Sequence, residues 1–196
     1  MVIKMKKEIS PFAKINHNTR TGGTEGMKMK NNPKKMMKCL LISVCLLCIT
    51  AAITYGAEYK ALSGVKSVKA VFDFRIGSPK SAVGHLDLIH QTFKDQSIRA
   101  VTEKPEFVIV FIGPSVKLIS SKRDGFSPEE QKVLDEIADK VSKMSKDGIK
   151  MEICLFAAKS LGVDPATILP EITHVGNGWI SLIGYQARGY SIVPAF

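Results

Sequence analysis

The chain has 196 residues, 45% of them hydrophobic, and a formal net charge of +10. This charge is uneven, because residues 1–57 hold 10 Lys/Arg against 2 Asp/Glu, whereas residues 58–196 hold 18 against 16. The basic character therefore belongs to the N-terminal segment, and residues 58–196 have no electrostatic footprint for nucleic acid. Residues 58–196 have the length of one domain.

The N-terminal segment has the pattern of an export leader. Lys34, Lys35 and Lys38 precede a 15-residue apolar run over residues 39–53, and mostly small residues follow up to Ala57. An apolar run of that length suits a signal peptide and is short for a membrane span, which needs about 20 residues. The segment therefore predicts export of the domain that comes after it.

We accordingly predict an N-terminal extension with a signal peptide over residues 1–57 and an α/β domain over residues 58–196. A start at Met36 or Met37 would give a more compact leader. The domain would then be exported, as a periplasmic or secreted protein. The alternative is an uncleaved segment that anchors the protein, and only through this leader would the chain contact a membrane.

The first half of the domain alternates strand and helix patterns. Residues 68–76 carry apolar side chains at every second position, which is the period of a strand. Ser78 and Pro79 predict a helix start, as N-cap and first helical residue. Residues 107–112 form a continuous apolar run, typical of a central parallel strand covered on both faces.

The second half continues the alternation. Ser127, Pro128 and Glu130 predict another helix start, with the serine as cap and the glutamate three residues further on. The remaining predicted elements are a strand over 149–153, helices over 155–161 and 164–170, a strand over 172–175, a helix over 179–189 and a strand over 190–193. This order predicts a single three-layer α/β/α domain with a mainly parallel sheet of about five strands.

Turns at the ends of the predicted strands mark a candidate site, because the carboxyl ends of parallel strands meet at one edge of the sheet. Glycines there let a backbone approach a ligand, and free N–H groups can hold an anion or a persulfide. The alternative is that each glycine only makes a turn. The residues predicted to bind a ligand at this edge, as backbone or amide donors, are Gly113, Pro114, Ser115 and Asn177.

Signatures of several enzyme classes are missing from the sequence. No Walker phosphate loop occurs, and the turn at 176–178 lacks the third glycine of a dinucleotide fingerprint, where Ser181 stands. Ser115 is not part of a Gly-x-Ser-x-Gly nucleophile elbow. No Cys/His cluster occurs either, so we predict no metal site and no cofactor.

Cys154 is the only cysteine in residues 58–196, because Cys39, Cys45 and Cys48 lie in the leader. It has no partner for an intrachain disulfide once the leader is removed. Its predicted place between a strand and a helix lets the N–H groups of the next turn favour a thiolate. A reactive thiol is one interpretation, and a buried, inert cysteine that acts as a small hydrophobe is the other.

Several segments, in their order and spacing, resemble proteins of the DsrE/DsrF type. The resemblance extends over most of residues 66–196, and residues 111–116 are similar to the family's second-strand motif. The other matching pieces are the strand ending in Cys154, Ala157-Ala158, Gly162, Leu169-Pro170, Val175-Gly176-Asn177-Gly178 and Gln186-Ala187-Arg188-Gly189-Tyr190, followed by Ile192 and Pro194.

The resemblance implies a three-layer α/β fold and assembly into dimers, trimers or hexamers. In the sulfur-relay members it implies a cysteine that accepts persulfide sulfur and passes it to a partner thiol, and Cys154 stands at that position. The best-understood of these members are cytoplasmic, so the predicted leader departs from their pattern. We expect an exported, homo-oligomeric sulfur carrier, at most a sulfurtransferase, that acts on a thiol partner protein. The alternative is a non-catalytic oligomeric binding or assembly module with a structural cysteine.

Overall fold

The computed structural model describes residues 59–196, so the predicted leader lies outside the described residues. The strands are β1 (Lys69–Phe74), β2 (Glu106–Phe111), β3 (Lys150–Cys154), β4 (Thr173–Val175) and β5 (Ser191–Ala195). The α-helices are α1 (Pro79–Lys94), α2 (Gln96–Val101), α3 (Pro128–Lys146), α4 (Leu155–Ser160) and α5 (Gly178–Ala187). Short 3₁₀ helices span Lys60–Leu62, Gly113–Lys117 and Pro165–Thr167.

The strands form a single sheet in the order β4-β3-β2-β1-β5, and every neighbouring pair is parallel. The apolar run predicted to form a central strand is β2, which lies in the middle of the sheet. Its residues Phe107 to Phe111 are all buried, as a strand covered on both faces must be. The predicted fold class, a three-layer α/β/α domain with a mainly parallel sheet of about five strands, is confirmed.

Helices cover both faces of this sheet. On one face Phe93 of α1 packs against Phe107 of β2, with 5.4 Å between ring centroids, and α3 packs on α1. On the other face α5 crosses β1, β2 and β3, and its Tyr185 hydroxyl donates a hydrogen bond to Glu152 of β3. The layer formed by α1 and α3 contains two long helices, of 16 and 19 residues, whereas α5 has 10 residues.

Both predicted helix starts are present, for the reasons that the sequence gives. Ser127 accepts a hydrogen bond from the Glu130 backbone N–H, and the Glu130 carboxylate accepts one from the Ser127 N–H. This reciprocal pair satisfies two N–H groups that the first turn of α3 leaves without helical partners. Ser78 caps α1 through a single bond, which its hydroxyl accepts from the Ser81 N–H.

Two elements differ from the sequence prediction. Residues 96–101 form α2, which apolar periodicity did not predict because the helix buries no side chain. Its start is fixed by Asp95, whose carboxylate accepts from the Ser97 N–H. The predicted helix over 164–170 is wrong, since only Pro165–Thr167 is helical, as a 3₁₀ turn. Among residues 59–196, no helix is both long enough and apolar enough to cross a bilayer.

Candidate functional site

The carboxyl edge of the sheet brings the predicted turns together. Gly77, after β1, lies so close to the turn after β2 that a Cβ on it would come within 2.6 Å of the Pro114 Cβ. At the start of α5, a Cβ on Gly178 would come within 2.8 Å of Ile112 and 3.1 Å of the Cys154 Cβ. The absence of a side chain at these two positions therefore lets three strand ends pack directly against one another.

A cavity of about 490 Å³ opens at this edge. Its volume lies in the range of small-molecule sites, roughly 300–1,000 Å³. Most of its wall is aliphatic or aromatic, and the polar side chains on it are few. The cavity is lined by Arg75, Ile112, Gly113, Pro114, Cys154, Phe156, Ala157, Ser160, Leu161, Asn177 and Trp179.

Cys154 lies in the wall of this cavity, at the junction of β3 and α4. It is the N-cap of α4, and its Sγ accepts a hydrogen bond from the Ala157 N–H at 3.4 Å. The residue is 3% exposed, so its side chain is buried in the folded domain. The cause is the close approach of Gly178, which covers the Cβ of Cys154. Any reagent that reaches the thiol must enter through the cavity.

Three of the four predicted binding residues line the same cavity as Cys154. Gly113 and Pro114 form part of its wall after β2. Gly113 has a φ of +62°, a left-handed conformation that favours glycine. Asn177 lies on the α5 side, where its amide oxygen accepts from the Trp179 N–H at 3.0 Å and so caps the helix.

Ser115, the fourth predicted binding residue, does not line the cavity. The side chain is fully buried, and its hydroxyl is within hydrogen-bonding distance of the Phe74 and Ile112 carbonyl oxygens, at 2.8 and 3.1 Å. These bonds tie the turn after β2 to the end of β1. The prediction of Ser115 as a ligand donor is therefore corrected, because the residue is fully buried outside the cavity lining and its hydroxyl joins two strand ends.

Arg75 is a cavity residue that the sequence reasoning missed. It follows β1, and its guanidinium donates two hydrogen bonds to the carboxylate of Asp73, each 2.9 Å long. Trp179 and Phe196 lie beside it, with their ring centroids 6.0 and 5.7 Å from the guanidinium carbon. The hydrogen bond and the charge of Asp73 raise the pKa of Arg75 and so keep it protonated. A signal was present, since Arg75 comes at a strand's carboxyl end.

Two exposed aromatic side chains line the cavity on either side of Cys154. Phe156 of α4 is 70% exposed and Trp179 of α5 is 59% exposed. Large apolar groups that stay in contact with water commonly mark a surface that takes a ligand or another protein. The sequence analysis identified Trp179 as a helix residue but gave Phe156 no role.

A half-buried carboxylate lies beneath α5, on the same strand as Cys154. Glu152 accepts a 2.6 Å hydrogen bond from the Tyr185 hydroxyl through Oε1, and its Oε2 has no partner among the described residues. Burial of the phenol, together with this carboxylate, raises the pKa of Tyr185 well above its ordinary value. Within residues 59–196 no group of three His, Cys, Asp or Glu side chains is placed to hold a metal ion.

Comparison with known proteins identifies the family. The model of the DsrE/DsrF-like family matches residues 69–194, which is most of the described chain. The chain belongs to the DsrE/DsrF-like family. This confirms the resemblance found in the sequence, and family members are associated with sulfur relay. A search of the curated proteins found no match.

Two solved structures are similar to this member of the family. The protein of unknown function MTH1491 from Methanobacterium thermoautotrophicum is 16% identical, with a TM-score of 0.51 over 65% of this chain and 99% of that one. The ychN protein from E. coli is 12% identical, with a TM-score of 0.42 over 66% of this chain and 99% of that one. The likeness to MTH1491 supports the fold.

Proposed function

We propose that this DsrE-like domain carries sulfane sulfur as a persulfide on Cys154. The observation that supports the proposal most directly is the position of this cysteine in the wall of a cavity, at the carboxyl edge of a parallel sheet. Such edges are where α/β folds bind ligands. Cys154 is also the sole cysteine in the described residues, so a sulfur loaded on it has no second thiol in the domain to displace it.

The transfer needs no redox partner. The Cys154 thiolate attacks the terminal sulfur of a donor persulfide R–S–SH, a new S–S bond forms to Cys154, and the S–S bond of the donor breaks. The bonding electrons leave with R–S⁻, which takes up the proton lost by Cys154. A thiolate of a partner protein then attacks the terminal sulfur of the Cys154 persulfide in the same way. Each step moves one sulfur atom from a persulfide to a thiol, so the oxidation states balance.

The alternative function is a non-catalytic binding or assembly module in which Cys154 is structural. The burial of Cys154 favours this alternative, because a cysteine that is 3% exposed can serve as a small apolar residue. Its hydrogen bond from Ala157 would then only cap α4. The two functions differ in whether the thiol reacts while the domain is folded.

We also propose that the domain acts after export, as a homo-oligomer. The support for export is the Lys-rich segment and apolar run that precede the domain in the sequence. The support for self-association is a set of exposed apolar side chains on α5 and at the C-terminus, which includes Ile180, Ile183 and Phe196. Neither proposal affects the chemistry assigned to Cys154.

Mass spectrometry of the native protein tests the sulfur-carrier proposal. The full chain is incubated with an organic persulfide, trapped with an alkylating agent and digested, so that an added sulfur atom can be assigned to Cys154 and separated from any on the leader cysteines. We expect an adduct on Cys154 in the folded protein and none at position 154 in Cys154→Ser. A thiol that gains sulfur only after denaturation would reject the carrier and leave the structural role.

A further inference from the structure

The size and walls of the cavity point to an organic ligand rather than an inorganic sulfur species. A water-sized guest takes about 30 Å³, and an anion of a few atoms takes only a small multiple of this. The cavity of about 490 Å³ would remain mostly empty around such an ion. Its mostly apolar lining, which includes Ile112, Phe156 and Trp179, offers few hydrogen bonds to the water that would fill the remainder.

The register of the sheet sets the distance between the two chemically distinct groups of the cavity. Phe74 pairs with Phe111, and Phe111 with Ile153, so the next residues, Arg75 and Cys154, lie on one row across β2. Two strand spacings separate them, about 10 Å at the backbone. Alternation directs both side chains to the α5 face, with Ile112 between them. A ligand that touches both must therefore be several bonds long.

Arg75 provides directional hydrogen-bond donors at one end of this row. A guanidinium has five N–H donors, and Asp73 takes two of them, which leaves donors without a partner among the described residues. Because Asp73 balances the charge, recognition depends on the fixed geometry of these donors. The same two bonds hold the group in place, and a planar carboxylate is the acceptor that a guanidinium fits best.

We propose that the cavity binds a low-molecular-weight organic thiol or persulfide that has a flat apolar body and a carboxylate. The carboxylate lies on Arg75, the body contacts Phe156 and Trp179, and the sulfur reaches Cys154. The presence of sulfur in the ligand rests on the proposed function. The carboxylate and the apolar body follow from the cavity itself.

Equilibrium binding to the full-length Cys154→Ser protein tests the ligand class without any sulfur transfer. The probes are 4-(mercaptomethyl)benzoate and its neutral benzamide, which share a ring and a thiol and differ only in the carboxylate. We expect the benzoate to bind about tenfold more tightly, as one charge-assisted hydrogen bond implies. Adding Asp73→Asn with Arg75→Gln, which keeps a neutral hydrogen-bonded pair, should abolish this preference.

A second variant tests the apolar wall and keeps the inference falsifiable if the double change fails to fold. Phe156→Ala should weaken both probes by a similar factor, because it removes ring contact without touching the carboxylate. Leu88→Ala is the matched control, since Leu88 is 61% exposed on α1, on the opposite face of the sheet. Equal binding of the two probes, or no effect of Phe156→Ala, would overturn the inference.

The outcomes separate this inference from the proposed function. If Cys154 of the parent protein takes up sulfur but the two probes bind equally, the ligand class is rejected and the carrier is retained. The opposite outcome is that Cys154→Ser binds the benzoate selectively, while the persulfide of 4-(mercaptomethyl)benzoate transfers no sulfur to the parent protein. That outcome would reject the carrier and retain the cavity as a carboxylate site.

Discussion

The sulfur of Cys154 has a structural contact that is independent of any chemistry. Its Sγ accepts from the Ala157 N–H, which belongs to the first turn of α4 and has no helical carbonyl to pair with. Sulfur is a weak acceptor, whereas a serine hydroxyl is among the preferred N-caps. The residue at this position can therefore be changed in two ways that separate capping from burial.

We expect Cys154→Ser to unfold close to the parent protein and Cys154→Ala to be less stable. The serine oxygen keeps the bond from Ala157, while alanine removes it at a cost of about 0.5–2 kcal/mol. Urea unfolding of the three proteins measures the difference. A serine variant that is less stable than the alanine variant would mean that the buried hydroxyl lacks a partner for its proton, which costs roughly 1–3 kcal/mol.

Tyr190 predicts a loss of stability at alkaline pH. Its buried hydroxyl donates to the Glu106 carboxylate at 2.5 Å, and burial with this carboxylate raises the pKa of Tyr190 from 10.0 to about 12. The folded state therefore binds this proton more tightly than the unfolded state does. The resulting contribution is complete below pH 10 and disappears as the pH rises from 10 towards 12.

The variant Tyr190→Phe lacks the hydroxyl proton and therefore isolates the pH-dependent contribution of Tyr190 to stability. We expect the parent protein to exceed the variant in unfolding free energy near neutral pH, and the gap to narrow steadily between pH 10 and 12. Urea titrations at several pH values give the gap directly, and ultraviolet absorbance follows the phenolate. A constant gap across this range would show that Tyr190 titrates alike in both states.

At the scale of elements, the sequence predicted those whose apolar pattern and caps agree. β1, α1 and α3 each have a clear period or a capping serine, β2 has a continuous apolar run, and the structure confirms all four. The pattern failed for α2, which buries nothing and depends on Asp95. It also failed for residues 164–170, where Pro165 supports a turn without the apolar stripe that a longer helix needs.

Two glycines offer a matched test of the packing between elements. Neither has a positive φ, yet Gly77 faces the rigid ring of Pro114, while Gly84 has open space in the middle of α1. We expect Gly77→Ala to destabilise the domain by about 1–3 kcal/mol, because a clash with a proline Cβ is not relieved by a rotamer change. Gly84→Ala should stabilise it by about 0.5–1 kcal/mol, from helix propensity.

Thermal or urea unfolding of both alanine variants provides the comparison, with each protein serving as the control for the other. A Gly77→Ala protein as stable as the parent would mean that the turns after β1 and β2 can separate without cost. The packing between these strand ends would then be looser than the close approach of Gly77 to Pro114 indicates.

For the whole molecule, parallel topology was the most useful prediction, because it placed Gly113, Pro114, Cys154 and Asn177 at one edge of the sheet, where they line one cavity. The topology did not predict the direction of each side chain in a turn. Ser115 shares the turn with Pro114 but points inward to two carbonyl groups. Burial at a strand end depends on what packs over it, and a single sequence does not show that Gly178 covers Cys154.

The outer surface of α5 and the C-terminus expose a group of apolar side chains. The helix α5 exposes Ile180 and Ile183 as well as Trp179, and Phe196 is exposed at the C-terminus beside Arg75. Ala195, which precedes Phe196, is buried at the end of β5, where it pairs with Phe74. We refer to Trp179, Ile180, Ile183 and Phe196 as the apolar face.

We expect the apolar face to mediate self-association. A charge placed on it should weaken the oligomer, because an ammonium group loses its hydration when a second apolar surface covers it. Ile183→Lys changes a side chain that is 65% exposed, so the folded domain should tolerate it. Leu88→Lys is the control, a similarly exposed position on α1 of the opposite layer.

Light scattering at micromolar concentration should show an oligomer for the parent protein and Leu88→Lys, and a smaller mass for Ile183→Lys. A parent protein that is already monomeric would reject the homo-oligomer, and equal masses for all three would place the interface elsewhere.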